Sequence, residues 1–112
     1  METVKLTDFV HFSDEGVRRE TVFETLRLWS QVLCLSGPQA WGPVRDDESD
    51  AIFTVLAGEG VFMVEGKRKR LAQWGAVLVG SGEEVTIRNA SVDPLVVMMI
   101  AAPPPVPREV TG

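Results

Sequence analysis

The sequence has one cysteine, Cys34, so no internal disulfide can form. No apolar run reaches the roughly 20 residues that a membrane-spanning helix requires. The first twelve residues lack the basic and apolar regions of a secretory signal peptide, which makes the cytoplasm the expected compartment. Basic residues are in the minority, 11 against 16 acidic, for a formal net charge of −5. An acidic surface repels phosphate backbones and anionic lipids, so neither nucleic acid nor a membrane is an expected partner. Internal repeats and charge blocks long enough for a disordered arm are also missing.

What is there suits a folded chain. Hydrophobic residues make up 45% and charged residues 24% of the 112, close to ordinary globular usage, which argues against a disordered or fibrous chain. At roughly 100–200 residues per domain, the whole length, 1–112, reads as one domain. Such a domain buries about two-thirds of its unfolded surface, enough for a core without staples, so any metal serves function and not folding.

Within that domain, residues 1–20 read as an extended arm with a turn at Ser13-Asp14-Glu15-Gly16, residues 21–102 as the body, and residues 103–112 as a tail. The stretch TVFETLRLWSQVLCL at 21–35 is rich in β-formers and lacks a helix cap, which favours a long bent strand or a hairpin over a helix. Residues 36–50, SGPQAWGPVRDDESD, read as a loop, because Pro38 and Pro43 deny ladder hydrogen bonds to a central strand. Short apolar runs follow at 52–56, 61–64, 76–79, 85–87 and 95–101, separated by turn residues. Strands at this spacing with no helical stretch between them give an all-β barrel or sandwich. Pro103, Pro104, Pro105 and Pro107 then favour an extended polyproline tail.

Residues 52–66, IFTVLAGEGVFMVEG, carry a strand, a Val-Leu-x-Gly-x-Gly turn and a second strand ending in glycine. Residues 71–105 follow with a turn, a short strand, a strand ending in Asn89 and a last strand. In this order and spacing the chain resembles the small single-domain cupins of the RmlC-like superfamily over residues 33–105. The resemblance implies a small double-stranded antiparallel β-barrel of jelly-roll type. It also implies where a metal would sit, since cupin chemistry usually rests on a His-x-His pair, a glutamate and a later histidine. Those positions fall here on Arg45 and Asp47, or on Val44 and Asp46 if the loop is one residue longer, then on Ala51 and Val85. Alanine and valine donate no lone pair, and His11 lies far upstream, so no cofactor or metal is expected at the usual place.

Each remaining candidate has a plain alternative. The acids Asp46, Asp47, Glu48 and Asp50 suit either a substitute oxygen-ligand site for a hard cation or, the expected state, a solvated loop. Arg45 is placed at the barrel mouth to hold a substrate carboxylate, or in a surface ion pair with a neighbouring acid. The basic run Lys67-Arg68-Lys69-Arg70 is expected on a turn or an exposed edge, where such residues discourage aggregation. Cys34 reads as a buried thiol and not a nucleophile, and His11 as a surface or interface residue and not a general base.

Trp29, Trp41, Trp74, Phe53, Phe62, Met63, Met98 and Met99 read mostly as core, with alternate side chains pointing inward. The resemblance to cupins implies which positions surround the cavity, and the expected pocket contains Arg45, Asp47, Ala51, Phe53, Val85 and Met98. The first functional reading is a metal-free barrel that binds a small, largely apolar molecule as carrier or sensor. The second is an enzyme using acid–base chemistry without metal, as isomerases and cyclases of the wider superfamily do, with Asp47, Glu84, Arg45 and Arg88 as candidates. The third is a homodimeric interaction module in which the first segment and the last strand cross between subunits.

Overall fold

A computed structural model of the chain describes residues 1–105; residues 106–112, the end of the expected polyproline tail, lie outside them. The described residues form two antiparallel sheets and one turn of 3-10 helix, Leu6–Phe9. The strands are β1 (Arg18–Glu24), β2 (Trp29–Leu35), β3 (Ala40–Arg45), β4 (Asp50–Ala57), β5 (Glu59–Val64), β6 (Lys67–Ala72), β7 (Ala76–Val79), β8 (Glu84–Asn89) and β9 (Leu95–Ala102). One sheet runs β1-β2-β9-β4-β7 and the other β3-β8-β5-β6. This is the all-β double-stranded architecture expected from the sequence. No helix among the described residues is long and apolar enough to cross a membrane.

Residues 21–35 resolve into a hairpin, β1 pairing with β2. Its turn is held by Thr25, whose hydroxyl oxygen accepts the backbone N–H groups of Arg27 and Leu28, both at 3.1 Å. The chain passes from the first sheet to the second at Gly58, which sits at φ +84°; a Cβ there would lie 2.2 Å from the carbonyl oxygen of Pro94. Only glycine fits that crossing.

Two segments become edge strands, the first read as a loop and the second expected on a turn or an exposed edge. Within the expected loop 36–50, β3 pairs with β8, with a register shift between Trp41 and Val44. Pro43 is tolerated because it sits in that irregularity on an edge strand, where a missing N–H breaks no internal ladder. At the opposite edge, the basic run forms β6, its four charged side chains exposed, while Leu71 packs on the core.

The registers stack inward side chains in layers. At the closed end lie Leu35 and Leu95, then Leu33, Val97 and Val55. The next layer holds Gln31, Met99 and Phe53, and the last Trp29, Ala101, Ala51 and Val79. Phe62, Ile87 and Val85 of the second sheet close over them. The outer face of the first sheet has its own cover: Leu6, Phe9 and Val10 pack on Val32, Cys34 and Val96. Six of the seven residues of β2 are therefore buried, regardless of parity.

The core list inferred from the sequence needs correction at its rim. Trp74 is 72% exposed, because the turn carrying it is fixed by backbone bonds to Val55 (Trp74 N–H to Val55 O and Val55 N–H to Gly75 O, both 2.8 Å) while the indole points out. Met63 faces outward on β5 and is 37% exposed. β9 pairs with β2 and β4, and the first segment packs on the outer face of that sheet.

Asn89 joins the two sheets at the closed end. Its buried amide donates to Leu35 O at 2.9 Å and Asp93 O at 2.8 Å, and its side-chain oxygen accepts Ser91 N–H at 2.9 Å. Replacing it with alanine leaves the buried carbonyl of Leu35 without its donor and unties Ser91 and Asp93, and we expect Asn89→Ala to cost about 2–4 kcal/mol. Urea denaturation followed by circular dichroism checks this; a loss below about 1 kcal/mol would show that the loop 90–94 re-pairs by itself.

Candidate functional site

The layering fills one end of the barrel and leaves the other open. Leucine, isoleucine and valine crowd the closed end, but Ala51, Ala101, Val79 and Val85 are too small to meet across the last layer. A cavity of about 240 Å³ remains between the sheets at that end. Trp41 and Phe53 form an aromatic wall, their ring centroids 5.9 Å apart and tilted by 54°, with Trp29 and Met99 beside them. Around the mouth stand Arg19, Arg45, Asp46, Ser49, Glu83 and Pro105.

The acidic groups at and beside the mouth are engaged in building its loops. Asp46 accepts the backbone N–H groups of Glu48 at 2.8 Å and Ser49 at 2.7 Å through one carboxylate oxygen. Glu83 accepts the N–H of Gly80 at 2.7 Å, and Asp50 accepts that of Ser81 at 2.9 Å. Ser49, itself buried, donates its hydroxyl to Pro103 O, which ties the acidic loop to the start of the tail. These are the local side-chain to backbone bonds that Asp, Ser and Glu make in turns.

Deeper in the wall lies Gln31, 7% exposed. Its side-chain nitrogen donates to Thr21 Oγ1 at 3.4 Å, and the same oxygen accepts the indole N–H of Trp29 at 3.1 Å. The side-chain oxygen of Gln31 is buried with no hydrogen-bond partner among the described residues.

Of the pocket residues expected from the sequence, Arg45, Ala51, Phe53 and Val85 border the cavity. Asp47 does not: its carboxylate pairs with Arg45 at 3.1 Å outside the lining, both side chains being more than half exposed. Met98 does not either, because it stands opposite Val32 and Thr54 on the outer face; its neighbour Met99 has the inward parity. Nothing in residues 95–101 marks that parity, since LVVMMIA is apolar on both faces. Gln31 carried a usable signal: it shares the two-residue period of Leu33 and Leu35, so a polar side chain had to enter the core.

The candidate acid–base residues do not gather. Glu84 and Arg88 are exposed and alternate with inward-facing Val85 and Ile87 on β8, and Asp47 points away, so only Arg45 of the four reaches the cavity. His11 is half exposed on the arm, its ring N–H donating to Asp8 O at 3.1 Å and lying 3.7 Å from Glu20. Cys34 is buried under that arm, and desolvation pushes its thiol above the ordinary 9.0; Glu20 adds to the rise, while the backbone at His11 and the charge of Arg18 oppose it.

A metal of the kind that cupins hold does not fit this donor set. Val44, Ala51 and Val85 line the cavity without a lone pair, Arg45 brings a positive charge, and Asp46 already serves two backbone N–H groups. Among the described residues no group of three or more His, Cys, Asp or Glu side chains is placed to hold an ion.

No family model matches the chain, and no curated protein matches it in sequence. Solved structures do. The protein TT1209 of Thermus thermophilus superposes with a TM-score of 0.88 at 26% identity, covering 92% of this chain and 98% of that one. An uncharacterized conserved protein with a double-stranded β-helix domain from Klebsiella pneumoniae gives 0.86 at 18%, covering 92% and 90%. An RmlC-like cupin protein from Desulfovibrio desulfuricans gives 0.80 at 22%, covering 92% and 97%. The fold is that of the small RmlC-like cupins, with the usual histidines and glutamate missing from the ligand positions.

Two outcomes are expected. Titration calorimetry of chelator-treated protein with Mn²⁺, Ni²⁺ or Zn²⁺ should show no saturable one-to-one binding at the cavity, and the Tm should not move on adding them; a stoichiometric site would overturn this account of the donor set. Iodoacetamide should alkylate Cys34 in the native protein at least about tenfold more slowly than a free thiol, because the raised pKa leaves little thiolate. A native rate equal to that in urea would mean that the arm does not cover it.

Proposed function

We propose that this protein is a metal-free cupin-fold binding protein that takes one small, largely apolar molecule into the barrel, as a carrier or sensor. The observation that carries this reading is the cavity itself: apolar walls of Trp29, Trp41, Phe53 and Met99 around a space that the small residues of the last layer leave open. At about 240 Å³ it is just below the ~300 Å³ at which ordinary ligand pockets begin, so a molecule of one or two rings suits it. The tilted aromatic pair favours a flat ring as partner. We take the working compartment to be the cytoplasm, which suits a single unpaired thiol.

Native mass spectrometry of protein purified under mild conditions tests the reading, together with ligand-observed NMR using toluene as probe. Ala51→Leu, which fills the layer between Val79 and Ala101, should weaken toluene binding at least about tenfold while leaving the circular dichroism spectrum unchanged. Equal binding by the wild type and this variant would mean that the probe sits elsewhere.

A second copy of the chain is proposed as partner. Ile100, Ile52 and Leu78 stand side by side across β9, β4 and β7 on the outer face of the first sheet, 39%, 45% and 66% exposed, beyond the part the arm covers. Such an apolar face meets itself across a two-fold axis without leaving a second face open. Sedimentation velocity should give a dimer that Leu78→Lys shifts towards monomer; a monomer at all concentrations would remove this part of the proposal.

A further inference from the structure

We infer that the side-chain oxygen of Gln31 is the acceptor that selects the cavity's ligand, and that this ligand is a neutral ring-bearing molecule with one N–H or O–H donor. The inference rests on the cavity reading above and names the class of molecule that the cavity prefers. The register places Gln31 beside Met99 and Phe53, in a layer where an aliphatic side chain would pack without cost. Its amide nitrogen is tied to Thr21 Oγ1, which is fixed in turn by the indole N–H of Trp29. The planar amide therefore has its oxygen left over, and that oxygen is buried with no donor among the described residues. A buried acceptor is costly until a donor meets it, and none of the described residues supplies one.

The surroundings narrow the chemistry. The walls near Gln31 are aromatic and aliphatic, and a charged group moved into them would lose its hydration without a counter-ion at that depth. A carboxylate or phosphate would also bring its negative oxygens against the carbonyl dipole. A neutral donor on a flat ring satisfies both walls and amide: the ring lies against Trp41 and Phe53 while its N–H or O–H points to Gln31.

Indole, benzofuran and indene share one shape and differ at one position: a donor, an acceptor and neither. Titration calorimetry on the full-length protein should show indole binding about tenfold or more tighter than the other two. In Gln31→Met the three should bind within about twofold of one another. The outcomes separate the two claims. If none of the three binds the wild type, the cavity reading falls and this inference with it. If all three bind equally, or benzofuran binds best, the cavity stands and the role of Gln31 is overturned. Retention of the preference for indole in Gln31→Met would overturn it as well, and should that variant fail to fold, the ranking in the wild type decides by itself.

Discussion

The structure depends on the antiparallel pairing of β2, β9 and β4, which fixes which side chains share a layer between the two sheets. Once Leu35 is opposite Leu95, every later position follows in steps of two: Leu33 with Val97 and Val55, Gln31 with Met99 and Phe53, Trp29 with Ala101 and Ala51. Large aliphatic residues at one end make a dry plug, and alanines at the other leave a space. The cavity is thus a consequence of register and side-chain volume, not of an added loop. A slip of one residue would turn Cys34, Val96 and Met98 inward and put Gln31 under the arm.

The same geometry explains how this chain differs in chemistry from cupins that hold a metal. Of the positions where ligands usually converge, Val44, Ala51 and Val85 line the cavity and can only add to an apolar wall. The acids nearby shape the loops at the mouth: Asp46, Glu83 and Asp50 accept backbone N–H groups, and Asp47 pairs with Arg45. In the wall, the amide nitrogen of Gln31 is engaged by Thr21 and its side-chain oxygen is buried without a partner among the described residues. The two sheet faces divide the work, one inner face enclosing the cavity and one outer face half covered by the arm and half left apolar.

Much of the fold was legible in the sequence because strands separated by glycine and proline turns have few other solutions. The hairpin at 21–35 and the runs later seen as β4, β5, β7, β8 and β9 could be read from residue pattern. The basic run, expected on a turn or an exposed edge, forms the edge strand β6, whereas β3 could not be read, since proline ordinarily argues against a strand and an edge position needs only one hydrogen-bonded side. Half of the site was legible in the same way. Ala51, Phe53 and Val85 could be placed from the turn at Gly58 and the strand end at Asn89, whereas Met98 and Met99 could not be told apart in a strand apolar on both faces.

The sequence by itself determined the all-β class, the cupin-like order of strands and turns, and the replacement of the usual histidines and glutamate where a metal would sit, because these are properties of residue type at fixed spacing. Tertiary structure alone decided which methionine faces inward, that Asp47 turns to Arg45 outside the cavity, that Cys34 lies beneath the arm, and that Gln31 presents an unmatched oxygen to the interior. Those outcomes depend on which strands become neighbours and in what register, and pairing across 60 or more residues, as between Gln31 and Met99, leaves no trace in local sequence.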